Sequence, residues 1–139
     1  MRLSPAAELS IRGTLVLAEE YGQGPVSLDN ICARRALPKQ YLVKLFASLT
    51  RAGLISPVRG KHGGYLLMRE PGQISVLEVI EAVEGPIVLN YCMHDPPQCD
   101  REGCPMRGVW GELQDTIRQK LASMTLAGCL QRNAQPHGG

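Results

Sequence analysis

Residues 37–67 read LPKQYLVKLFASLTRAGLISPVRGKHGGYLL, and this stretch decides the fold. Pro38 can open a helix, because its missing N–H is one of the donors a helix start leaves unpaired anyway. From there Leu42, Leu45, Phe46 and Leu49 recur at helical spacing, while Lys39, Gln40, Lys44, Ser48 and Arg51 fall on the other face. Gly53 supplies the stop. Two short β-type runs follow, Leu54–Val58 and Tyr65–Met68, around the glycine-rich tip Arg59-Gly-Lys-His-Gly-Gly64. Upstream, Ser27 caps a short helix over Leu28–Arg35. Two helices in tight succession, the second amphipathic and basic, make a helix-turn-helix, and a basic hairpin directly after it makes a wing. A phosphate-cradling P-loop is the competing reading of the glycines. It fails because the loop joins two strands, with no helix N-terminus after it.

Outward from this stretch the elements are simpler. Ser4-Pro5 starts a first helix carrying Ala7, Ile11, Leu15 and Ala18 to about Tyr21, where Gly22–Pro25 ends it. Ser75 and Glu78 form a capping box for another helix that stops near Gly85-Pro86. Tyr91–Pro105, YCMHDPPQCDREGCP, is then held as a loop by its prolines and Gly103. After it, Met106, Trp110, Leu113, Ile117, Leu121 and Met124 alternate steps of four and three. A helix of that length, roughly 30 Å, needs a partner. Pairing with its own copy is the expectation, burial against its own domain the alternative. The expected division is a winged helix-turn-helix over 1–85, a cysteine loop over 86–105, a dimerisation helix over 106–127 and a disordered tail over 128–139. The fold class is mainly α with a small β-hairpin wing.

Charge supports a nucleic-acid partner. Pro25–Arg69 holds eight basic residues against Asp29 alone, whereas Val76 to the end holds five basic and eight acidic. A basic segment on an otherwise acidic chain suits a phosphate backbone, although a solvated charged face would read the same. At the start of the basic helix, Lys39, Gln40, Tyr41 and Lys44 are the candidates for base edges. Tyr41 could equally be a packing aromatic. Arg59, Lys61 and His62 on the wing would enter or flank the minor groove. There is no run of eighteen apolar residues and no apolar leader, so neither a membrane span nor export is expected. No nucleophile–base pairing suggests an enzyme.

Five cysteines, at 32, 92, 99, 104 and 129, are an odd number without an export signal. That favours a reducing cytoplasm and thiolate chemistry over a disulfide framework. Cys92, Cys99 and Cys104 lie in one irregular loop, separated by six and four residues. These spacings fit an iron–sulfur cluster better than the close-spaced knuckles usual for zinc, and soft sulfur donors suit iron. A thiol/disulfide or zinc switch remains the alternative. His94 competes as a further ligand, Cys32 reads as a core thiol and Cys129 as a free one.

In this order the elements resemble the IscR/NsrR/RirA group of bacterial winged-helix regulators, many of which sense through an iron–sulfur cluster. The residues that carry the likeness are Leu37–Leu67, then ISVLEVIEAVEG (residues 74–85), then the three cysteines, within coverage from Met1 to about Leu126. The resemblance implies a cytoplasmic, homodimeric transcription regulator, a repressor, on double-stranded operator DNA. It implies metal ligation by Cys92, Cys99 and Cys104, with iron, nitric oxide or redox state as the signal. The iron–sulfur assembly repressor carries a histidine three residues after the third cysteine, where this chain has Arg107. The nitric-oxide-sensing relatives use an acid from the first helix of the other subunit, and Glu8 stands at that place. Three cysteines and a carboxylate favour a 4Fe–4S cluster over a 2Fe–2S one. Trp110, Leu113, Ile117, Leu121 and Met124 are the expected dimer contacts.

Overall fold

The structure, a computed structural model, describes residues 3–89 and 103–133. Its order is α1 (Pro5–Glu19), α2 (Leu28–Arg35), α3 (Lys39–Arg51), β1 (Ile55–Val58), β2 (Gly64–Leu67), a single 3-10 turn (Pro71–Gln73), α4 (Val76–Glu84), α5 (Met106–Ser123) and α6 (Leu126–Asn133). The caps foreseen in the sequence set the starts. Ser4 Oγ accepts from Ala7 N–H, Ser27 Oγ from Asn30 N–H, and Ser75 with Glu78 closes both halves of the capping box.

The turn between α2 and α3 passes through Ala36 at φ +53°, the one non-glycine residue with positive φ among the described residues. Leu37 N–H then bonds back to Cys32 C=O at 2.9 Å, and Leu37 is buried. This closes the helix-turn-helix. Its core is built from Val16, Leu17, Ile31, Leu42, Phe46, Leu49 and Leu54, so α1 is the platform on which α2 and α3 sit. Gly13 is what lets α3 come close. A Cβ there would lie 2.8 Å from the Phe46 ring.

The wing is pinned from two sides. β1 and β2 pair antiparallel with Ile55 opposite Leu67 and Val58 opposite Gly64. Val26 then exchanges both backbone hydrogen bonds with Tyr65, at 3.0 and 2.9 Å, adding a third edge. The glycine pair at the base of the hairpin exists for this crowding: a Cβ on Gly63 would meet Val58 C=O at 2.1 Å, and one on Gly64 would meet Val26 C=O at 2.1 Å. Tyr65 packs edge-on against Phe46, ring centroids 4.8 Å apart, which ties the wing to α3.

Two expectations need correction. The helix foreseen over 106–127 ends at Ser123, and Met124 turns extended. The segment foreseen as tail from 128 is helical to Asn133 instead. Thr125 explains both, since its Oγ accepts Gly128 N–H at 3.0 Å and starts a new helix. That helix returns to the core, with Leu126 fully buried and Leu130 packed against it. Val76 N–H bonds Met124 C=O at 2.8 Å and Leu126 N–H bonds Ile74 C=O at 3.0 Å, clasping the end of α5 to the start of α4. The rest of the expected tail, 134–139, lies outside the described residues.

By contrast α5 buries none of its residues. Its apolar seam divides. Leu121 and Met124 pack on Ala7, Val76 and Ile80 of their own chain, while Met106, Val109 and Leu113 stand exposed. Arg118–Glu81 (2.8 Å) and Leu89 N–H to Gln114 Oε1 (3.1 Å) hold its middle. An apolar groove of about 410 Å³ runs beside it, lined by Leu3, Ile80, Ile87, Leu89, Ile117 and Leu121.

Candidate DNA-binding face and cysteine site

Helical periodicity puts Leu42, Leu45, Phe46 and Leu49 into the core, so the opposite face of α3 must carry what remains. Lys39, Gln40, Tyr41 and Lys44 are all exposed there, and Arg51 lies at the far end. Arg59, Lys61 and His62 are exposed on the wing that Tyr65 and Phe46 fasten to the same helix. Val43 shares the open face of α3 and is 43% exposed. It is not among the candidates singled out from the sequence. The available signal was its place between two stripe positions, beside Lys44.

The basic segment is less basic in space than in sequence. Arg34 pairs with Glu20 at 2.9 Å and with Glu19, Arg35 pairs with Glu19, and Arg69 pairs with Glu78 at 2.7 Å. Lys39 Nζ lies 2.7 Å from Asp29 Oδ1, a bond that also pushes its ammonium above the usual lysine range. The same Asp29, second to burial, pushes the half-buried Cys32 thiol up. Within Pro25–Arg69, Lys44, Arg51, Arg59 and Lys61 are left without a carboxylate partner among the described residues.

At Glu78 burial works to raise the carboxyl, but bonds from Arg69 and Ser75 outweigh it and hold it below the usual range. Glu78 thus links the end of the wing to the cap of α4. Arg69 also donates to Gln73 C=O at 3.1 Å, so the turn between wing and α4 is bonded along its length.

Of the expected metal ligands, Cys92 and Cys99 lie outside the described residues, as does His94. Cys104 is a half-buried free thiol two residues before α5. Glu8 sits in the first turn of α1, half-exposed, and pairs with Arg12 at 2.7 Å. Among the described residues, no three metal-binding side chains are gathered in one place. Cys32 and Cys129 are both half-buried, the former against the main core and the latter against the cluster around Ile80.

A helix-turn-helix with a fastened wing and an open basic face defines a DNA-binding transcription regulator of winged-helix type. The comparisons with known proteins agree. Residues 3–132 match the Rrf2 family, described as iron-dependent transcriptional regulator. The regulator CymR of Bacillus subtilis is 32% identical over 126 residues, covering 91% of this chain and 87% of CymR. Its structure, described as that of the global cysteine regulator, superposes with a TM-score of 0.82 over 95% of this chain and 98% of that one. The regulator IscR of Xenorhabdus nematophila is 35% identical over 126 residues, covering 91% of this chain and 77% of IscR. The structure of IscR from T. potens gives a TM-score of 0.79 at 33% identity, over 100% of this chain and 94% of that one. The chain belongs to the Rrf2 family of transcription regulators. Its relatives are named regulators rather than enzymes, and no described helix is long and apolar enough to cross a membrane.

Proposed function

We propose that the protein is a homodimeric repressor that binds operator DNA through α3 and the wing and senses iron, nitric oxide or redox state through an iron–sulfur cluster. The observation that carries the sensing half is the position of Cys104. A free thiol, neither locked in the core nor fully in solvent, stands two residues before α5. The donor set suits the group: thiolates at 92, 99 and 104, with the Glu8 carboxylate as a fourth ligand. In the pattern that the resemblance implies, Glu8 would come from the second copy. It would have to leave Arg12, an exposed pairing worth only about 0.3–0.5 kcal/mol.

The cluster, when bound, supplies a cross-link through soft thiolate ligands that iron loss, oxidation or nitric oxide removes. The chain's own residues give that cross-link a consequence. α5 is clasped at its far end by the Thr125–Ser75 bridge and braced by Arg118–Glu81, while its near end starts two residues after Cys104. A restraint on Cys104 therefore sets the near half of α5, where Met106, Val109 and Leu113 are open to a second copy. The pairing of two chains fixes the spacing of two α3 helices, about 34 Å for half-sites one turn apart. At the DNA, Lys44, Arg59 and Lys61 hold phosphate, Gln40 and Tyr41 meet base edges, and His62 flanks the groove.

A second reading has one observation in its favour. CymR is described as a cysteine regulator, and a half-open thiol suits a thiol switch equally well. Anaerobic purification followed by a visible spectrum and iron and sulfide counts decides. Brown protein with equal iron and sulfide, turned colourless by Cys104→Ala, supports the cluster, and Glu8→Ala then tests the fourth ligand. Protein that stays colourless after reconstitution with iron and sulfide refutes it in favour of the thiol or zinc switch.

A further inference from the structure

The start of α3 is electrostatically awkward. Its N-cap is Pro38, which offers no side-chain acceptor, and its first turn holds no acid. Lys39 instead places a cation against the positive end of the helix, where the dipole opposes it. The carboxylate that answers comes from α2. Asp29 sits in the first turn of α2, a place the α2 dipole favours, and reaches Lys39 at 2.7 Å. One carboxylate thus serves two helix starts. It is also the only acidic side chain of the Pro25–Arg69 segment, and it is 79% exposed at the end of α3 that enters the groove.

Resting on the DNA-binding reading above, we infer that Asp29 suppresses sequence-independent DNA binding by occupying Lys39. On arbitrary duplex a phosphate oxygen offers the ammonium little that Asp29 does not already offer, so exchanging one for the other adds little net affinity. A site that offers a well-placed acceptor, such as guanine O6 and N7, can draw Lys39 away. The pairing is weak enough for that exchange, as exposed ion pairs are. Specificity gains because a phosphate contact that every sequence could use has been withdrawn.

The test is a double-mutant cycle on the full chain, with a random-sequence duplex as probe and salt varied from about 50 to 200 mM. Asp29→Asn and Lys39→Gln are exposed changes, and thermal melts show that each variant is folded. In the Lys39 background, Asp29→Asn should tighten random-duplex binding several-fold. It should also steepen the log–log salt slope by about one to two per dimer. In the Lys39→Gln background the same change should do neither. An equal gain in both backgrounds overturns the inference, because Asp29 would then act only as a distant negative charge. No gain in either background overturns it as well. Wild-type protein that fails to bind duplex with any salt dependence overturns the DNA-binding reading itself, a result readily told apart from a failed cycle.

Discussion

The strength of the salt dependence follows from which cations the fold leaves open. Composition would count eight basic residues per chain between Pro25 and Arg69, and sixteen per dimer would give a log–log slope of about −14. The ion pairs of Arg34, Arg35, Lys39 and Arg69 remove half of them. Lys44, Arg59 and Lys61, the three placed on phosphate, remain together with Arg51, which for the proposed dimer limits the slope to about −5 to −7. Between 50 and 200 mM salt, affinity for arbitrary duplex should fall about a thousand- to ten-thousand-fold. Fluorescence anisotropy on a labelled random duplex reads this directly. Lys44→Gln should flatten the slope by roughly two per dimer, and Arg34→Gln should leave it unchanged. A wild-type slope near −14, or an Arg34→Gln slope as flat as that of Lys44→Gln, would refute the claim that internal pairing sets the footprint.

Four further outcomes test the packing. Gly13→Ala gains about 1 kcal/mol in helix propensity but drives a methyl into Phe46, whose ring Tyr65 holds edge-on; urea unfolding should show a net loss of about 1–2 kcal/mol, and equal stability would argue against so close an α1–α3 contact. Ala36→Gly should raise stability by up to about 1 kcal/mol, because the left-handed turn penalises a Cβ by more than glycine's added chain entropy costs. Ser10→Ala should also stabilise by about 1 kcal/mol, since Ser10 Oγ is buried without a hydrogen-bond partner among the described residues, and a loss would reveal a partner. Glu78→Gln keeps the capping box but drops the charge facing Arg69. Because folding depresses the Glu78 carboxyl, its contribution is present above the unfolded value of about 4.3 and lost as pH falls through the folded one, so the stability gap between wild type and variant should close in acid.

Sequence revealed the features that are local. Ser4, Ser27 and Ser75 cap within three residues of themselves, and the stripe of α3 repeats within one helix, so both were readable without tertiary knowledge. The two glycines before Tyr65 mark the hairpin, but nothing local marks the third edge, because Val26 pairs with Tyr65 from far upstream in the chain. Charge pairing is hidden from a linear reading for the same reason. Arg34 meets Glu20 across fourteen positions, and nothing in a linear count distinguishes a paired guanidinium from an open one. The C-terminal helix was lost to composition: Gln131 to Asn133 look like tail, but Thr125 caps and Leu126 anchors a helix that carries them.

The division of labour between α5 and α6 gives the arrangement its logic. α6 closes the core through Leu126 and Leu130, so the winged helix is stabilised by residues that come after the three cysteines as well as before them. α5 lies between Cys104 and α6 and contributes no buried residue. In the proposed switch, a change at Cys104 would act on the near half of α5, which buries none of Phe46, Leu49 or Leu126, so its penalty would fall on surface contacts. A useful regulator needs only about 1–3 kcal/mol of coupling between signal and DNA. Such a sum is within reach of the exposed apolar contacts of Met106, Val109 and Leu113, whereas a sensor built into the core would put the fold itself at risk.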